Sequence, residues 1–167
     1  MAKKKDSTSI IKKGVTLLAS VLVFVFMFLE MLAVKSKASI LGFQQKEWSS
    51  EGISLYDLIF GEANESIREN LTTTNIVLWV AFVLAVVAIV AAALAFVMKK
   101  QGSTLARLSG GLLVLAMLAL FIINFNKAEF VWLGTGSTIY VTNMTVLYFI
   151  SLVISVVGLA SAASLKK

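Results

Sequence analysis

Among side chains suited to acid–base, nucleophilic or metal chemistry, this chain of 167 residues carries nine carboxylates but no histidine and no cysteine. Without imidazole or thiol there is no ready base near neutral pH, no thiolate nucleophile and no zinc-like ligand set. Glu30 is the one ionisable side chain inside a long apolar run. An acidic residue at the centre of a membrane span costs about 2.5–3.5 kcal/mol and less near the interface, so Glu30 is a candidate site by default. The competing reading is that it reaches the headgroups or pairs with Lys35, Lys127, Asn124 or Asn126 at the same depth. A proton relay needs partners in series, and no second intramembrane carboxylate supplies one. Glu47, Glu51 and Asp57 share a polar segment and would have to converge to support an enzyme. No phosphate-cradling glycine loop occurs, and Gly110-Gly111 lies within an apolar run where it serves packing. The expectation is a protein that is not an enzyme, with no catalytic residue, no cofactor and no metal.

The elements that hold these residues follow from composition. A hydrophobic share of 59% exceeds the roughly 45–50% of soluble domains and points to an integral membrane protein. About 20 apolar residues of helix cross about 30 Å of hydrocarbon. Four segments fit that template, at 15–34, 76–98, 105–125 and 143–163, and with no proline among them each is expected as a helix. The first is too long for the apolar core of a signal peptide and is read as a retained span. The fold class is therefore an all-α membrane protein, a four-transmembrane-helix bundle.

Lysine and arginine decide its orientation. Residues 1–14, 99–104 and 164–167, with Arg107, carry Lys3, Lys4, Lys5, Lys12, Lys13, Lys99, Lys100, Lys166 and Lys167 against Asp6 alone. The loops at 35–75 and 126–142 carry an acidic excess. Both termini are thus expected in the cytoplasm and both loops outside, in a cell membrane that the lysine-rich start marks as bacterial. Trp48, Trp79, Trp132, Tyr56 and Tyr140 gather at the outer level, as an interfacial belt does. The net charge of +6 is topology information, not a nucleic-acid footprint.

Helices in lipid approach through small residues. Ala81, Ala85, Ala88, Ala92 and Ala95 fall on one face of the second span, and Ser151, Ser155, Gly158 and Ala162 on one face of the fourth. A weaker row is Ala106, Ser109, Ala116 and Ala119. These faces serve either packing within one chain or a subunit interface. The first span, with Phe24, Phe26 and Phe28, is bulky all round and suits lipid or a second subunit. In the tight 99–104 turn, Gly102 is expected in a left-handed helix-ending conformation with Ser103 or Thr104 capping the next helix.

The outer loops should form a small cap of short strands and a short helix. A strand is expected near 38–45, and Ser54 with Asp57 resembles a capping box ahead of Leu55, Leu58, Ile59 and Phe60, ended by Gly61. A helix from Asn64 should run into the second span. Residues 129–133 and 137–142 flank Gly134-Thr135-Gly136 as a hairpin. Trp48, Tyr56, Phe60, Trp132 and Tyr140 are the expected outer contacts.

Cytoplasmic ends, a long first outer loop, a tight inner turn and a shorter second outer loop make a layout that resembles claudin-like tetraspan proteins across nearly the whole chain. The first-loop signature of that family, tryptophan followed by Gly-Leu-Trp and two cysteines, is absent after Trp48, where Glu51-Gly52-Ile53-Ser54-Leu55-Tyr56 stands instead. The resemblance implies an outer sheet on a four-helix bundle and lateral association. The expected function is a non-enzymatic scaffold that contacts membrane lipids and a homo-oligomeric or other membrane-protein partner through its outer loops, with no nucleic acid. The alternative is an oligomeric channel or small transporter subunit, lined by Ser151, Ser155, Asn124 and Glu30.

Overall fold

The computed structural model describes residues 2–40, 43–44, 51–61, 72–98, 100–123 and 137–165. In chain order these form α1 (Ala2–Phe26), β1 (Leu32–Ile40), β2 (Phe43–Gln44), β3 (Glu51–Ile53), α2 (Leu55–Phe60), α3 (Thr72–Val97), α4 (Gly102–Ile123), β4 (Ser137–Met144) and α5 (Val146–Ala163). The protein is an integral membrane protein by its helices: α1, α3, α4 and α5 are each long and apolar enough to cross a bilayer. They close a ring in which α3 packs on α4, α4 on α5, α5 on α1 and α1 on α3, with α1 also touching α4 across the bundle.

Two of the expected spans are corrected. The first helix does not reach 34: it ends at Phe26, and Leu32 already begins β1. Residues 29–34, apolar but for Glu30, read as more helix, but Met31 and Leu32 bury themselves at the base of a sheet instead. The helix extends the other way, to Ala2, through a segment with five lysines and no proline, in which the weaker helix formers Asp6 to Ser9 and Gly14 do not end it. The fourth helix starts at Val146, since Asn143 and Met144 belong to β4.

Small residues set the approach of the helices. Ala81, Ala85, Ala88, Ala92 and Ala95 of α3 are all buried, as are Ala106, Ser109 and Ala116 of α4. On α5, Ser151, Ser155, Gly158 and Ala162 are buried. A Cβ on Gly158 would lie 2.9 Å from the Ala19 Cβ, and one on Gly110 would lie 2.7 Å from the Leu159 Cα. The larger core, Val23, Met27, Met31, Leu78, Leu113, Met117, Leu120 and Tyr148, continues without a break into Leu55, Leu58 and Ile59 of α2.

Hydroxyls inside the bundle are turned onto partners, as the lack of water there requires. Ser20 and Ser109 join α1 to α4 at 3.1 Å, and Thr16 Oγ1 donates to the Lys12 carbonyl at 3.1 Å and the Gly158 carbonyl at 3.3 Å. Ser151 and Ser155 donate to the Leu147 and Ser151 carbonyls, both at 2.8 Å.

The end that carries both termini is tied by cations on carbonyls. Lys13 Nζ donates to the Ala95 carbonyl at 2.8 Å, Lys12 Nζ to the Ser164 carbonyl at 3.0 Å, and the Arg107 guanidinium to the Leu165 carbonyl. Each acceptor lies at the C-terminal end of α3 or α5, where positive charge is favoured. Gly102 is not the left-handed helix terminator expected of it. It is the first residue of α4, and a Cβ there would lie 2.3 Å from Lys13 Nζ and 2.5 Å from the Ala95 carbonyl oxygen. Its role is to leave room for the ammonium.

The two glycines of α4 separate packing from propensity. Gly110 faces the α5 backbone, whereas a Cβ on Gly111 would meet nothing within 4 Å. We predict that Gly110→Ala lowers stability by about 1–3 kcal/mol through overpacking. Gly111→Ala should be neutral or gain up to about 1 kcal/mol from helix propensity. Thermal unfolding in mild detergent, followed by circular dichroism, would show the contrast; equal effects would contradict the close contact.

Candidate functional site at the sheet end

At the other end of the bundle a sheet grows out of two helices. β1 is the strand with which β2, β3 and β4 all pair, each antiparallel. β4 follows it from Leu32↔Met144 to Ala38↔Ser137, with an irregularity between Ala33 and Val34 where the partner passes from Asn143 to Val141. β3 pairs Leu32↔Ile53 through Val34↔Glu51, and β2 pairs Ser39↔Gln44 and Ile40↔Phe43. Since α1 packs on α5, the strand leaving α1 and the strand entering α5 emerge side by side. Thr145 locks that junction: its N–H donates to the Met31 carbonyl at 3.1 Å and its Oγ1 to the Glu30 carbonyl at 2.7 Å.

The short helix α2 is seated beside this junction. Ser54 is its N-cap, accepting from the Asp57 N–H at 2.9 Å while its hydroxyl donates to the Asp57 carboxylate at 2.6 Å. The Gly61 N–H donates to the Asp57 carbonyl at 2.8 Å and closes the helix, and a Cβ on Gly61 would come within 2.5 Å of that oxygen. Leu55, Leu58 and Ile59 are buried, and the Tyr56 N–H donates to the Met27 carbonyl at 3.1 Å. This anchoring leaves Tyr56, Asp57 and Phe60 on the outer face.

Those exposed rings belong to a closed circuit. Phe24 meets Phe28 at 5.2 Å between centroids, Phe28 meets Tyr56 at 5.1 Å, Tyr56 meets Phe60 at 5.0 Å, Phe60 meets Phe82 at 5.6 Å, and Phe82 returns to Phe24 at 5.8 Å. Trp79 lies edge-on to Phe60 at 5.2 Å. Phe28, Tyr56, Phe60 and Trp79 are 44%, 42%, 48% and 40% exposed, so the circuit is an ordered but open apolar patch. Aromatic pairs of this spacing contribute about 0.5–1.5 kcal/mol each beyond their burial.

Other expected site residues fall differently. Glu30 is not inside a helix: it lies exposed in the turn between α1 and β1, where its carbonyl is the working group. Ser151 and Ser155 are buried and bonded to their own helix, an arrangement that leaves them no pore-lining face within one chain. Glu51 and Tyr140 sit in β3 and β4. Asn124, Lys127, Glu47, Trp48, Trp132, the first arm of the expected hairpin and the helix from Asn64 to Leu71 lie outside the described residues. The second arm, 137–142, is found paired with β1. The expected strand at 38–45 is divided between the end of β1 and β2, and β1 begins at Leu32.

Sequence reasoning named Tyr56 and Phe60 but missed their assembly with Phe24, Phe28, Trp79 and Phe82. The signal was present as three aromatic pairs at helical i, i+3 or i, i+4 spacing: Phe24 with Phe28, Tyr56 with Phe60, and Trp79 with Phe82. Comparison with protein-family models, with curated proteins and with solved structures finds no match to this chain.

Because α2 holds two of the six rings through one cap, the cap is a lever on the patch. Ser54→Ala should cost about 0.5–2 kcal/mol locally. We expect faster amide exchange over residues 55–60 and altered Trp79 emission, with the global unfolding temperature nearly unchanged. Unchanged exchange across α2 would refute the lever.

Proposed function

We propose that this protein is a non-enzymatic tetraspan membrane scaffold that associates laterally with copies of itself at its sheet end. The observation that carries the reading is the aromatic circuit, four of whose six rings are open; five stand on α1, α2 and α3 and Phe28 on the turn that follows α1. Rigid aromatic side chains lose little entropy on contact and dominate interface energetics. The small-residue faces of α3 and α5 are occupied inside one chain, so association falls to surfaces that the chain leaves uncovered.

The same proposal includes orientation. The lysine and arginine bias puts both termini in the cytoplasm of a bacterial cell membrane and makes the sheet with α2 an extracytoplasmic cap. It also includes the resemblance to claudin-like tetraspan proteins. A strand after the first span, a strand before the fourth and a short helix between them support that layout.

Two measurements test it. The chain has no cysteine, so Asp57→Cys and Lys100→Cys report topology without background: an impermeant thiol reagent on intact cells should label the first and spare the second. Photobleaching of single labelled particles in native membranes should show more than one copy. The pair Tyr56→Ala and Phe60→Ala should shift the distribution towards single copies. A wild-type protein that is monomeric in membrane would end the reading.

A further inference from the structure

We propose that the end of the bundle carrying both termini is a binding site for anionic phospholipid headgroups, the phosphate seated beside Lys12 and Arg107 at the C-terminal end of α5. Two cations from different helices converge there: Lys12 of α1 donates to the Ser164 carbonyl at 3.0 Å, and Arg107 of α4 reaches the carbonyls of Leu165 and, at 3.5 Å, Ala163. A helix end carries only about half an elementary negative charge. Two full positive charges on one such end leave an excess that an anion would balance. In the segments at this end the sequence holds ten basic residues and one acidic residue, Asp6.

Arg107 presents the two edges of its guanidinium differently. Its Nε is buried and has no hydrogen-bond partner among the described residues. The Nη2 edge, in contrast, touches the Ala163 carbonyl at 3.5 Å on the exposed side, and a guanidinium edge matches a phosphate in geometry. The Lys12 bond to Ser164 and the Arg107 bond to Ala163 are both on the exposed side, within reach of a headgroup.

The apolar surroundings select a lipid over a free anion. Ile10 and Ile11 precede Lys12, and Leu108 follows Arg107; all three are exposed although they flank the cations. Acyl chains would cover these side chains while the phosphate meets the charges above them, the arrangement that basic sites between spanning helices offer to anionic lipids. Neither orientation nor self-association enters this argument.

Native mass spectrometry of the full chain, released from micelles holding equal amounts of phosphatidylglycerol and phosphatidylcholine, tests it. The expected result is several-fold preferential retention of phosphatidylglycerol, abolished in the Lys12→Gln, Arg107→Gln double variant and kept in Lys4→Gln, Lys5→Gln. Equal retention of the two lipids by the wild type would overturn the proposal, as would an equal loss in both double variants, which would mean diffuse charge. Displacement of the lipid by excess inorganic phosphate would also overturn it, since the site would then read phosphate alone. Should the Lys12, Arg107 variant fail to fold, the wild type decides. The rise in its unfolding temperature on adding phosphatidylglycerol must shrink between about 0.05 and 0.5 M salt, over which the Debye length falls severalfold. A salt-insensitive rise would refute the site.

Discussion

Close approach between α1 and α5 is the constraint from which the sheet end follows. Lipid gives helices little hydrophobic reason to associate, so contact depends on backbones that can come near enough for dispersion and hydrogen bonding. Gly158 against Ala19 and the Thr16 hydroxyl on the Gly158 carbonyl supply that approach. Packed helices lie about 8–10 Å apart, whereas hydrogen-bonded strands lie about 4.8 Å apart. The chain must therefore converge between the two regimes within residues 27–31 on one side and Thr145 on the other. A wide α1–α5 contact would splay β1 from β4. A narrow one lets Leu32 and Met144 pair as soon as they leave the bundle.

The two ends of the bundle solve the same problem with different chemistry. Helix ends leave carbonyls without partners, and in a membrane protein each needs one. At the sheet end the carbonyls of Met27, Glu30 and Met31 accept from Tyr56 and Thr145, so backbone and hydroxyl donors close the gap and fix α2 and the start of α5 each to the turn after α1. At the opposite end the donors are Lys12, Lys13 and Arg107, each reaching from one helix to the terminus of another. Long basic side chains can do this because their stems lie along apolar surface while the charged head sits at the boundary. Gly102 shows how tightly the heads are held, since no side chain larger than hydrogen fits beside Lys13 there.

What could be read from the residues alone follows the same division. The second and third spans lie within a few residues of their expected bounds, because a long apolar run in lipid has only one solution. The alanine row of α3 and the serine–glycine row of α5 were legible from spacing, and both are buried. The α2 cap was legible because Ser54, Asp57 and Gly61 act on neighbours in sequence. The boundary near Phe26 was not, since Leu29, Met31, Leu32, Ala33 and Val34 are as apolar as any helix and only pairing with β3 and β4 makes a strand from Leu32 onward. Glu30 was placed within a helix for the same reason: it stands in an apolar run, and the turn after α1 is where it lies. The aromatic circuit needs three helices at once, and periodicity shows only its three separate pairs.

The spanning helices differ in length. The apolar stretch of α3 covers 23 residues and α5 only 18. At 1.5 Å per residue these reach about 35 Å and about 27 Å, on either side of the roughly 30 Å hydrocarbon. Two such helices, if flush at one boundary, end at different levels at the other unless the longer one tilts. Where β4 precedes α5, Met31, Leu32, Leu55, Leu58 and Ile59 are buried in the same apolar cluster as the helices. The sheet is therefore sunk at its base into the bundle, and α2 lies beside the last turns of α1 and the first turns of α3, not above them. There Tyr56, Phe60 and Trp79 present their rings beside the ends of the apolar helices, and aromatic side chains of that kind are favoured at a membrane interface.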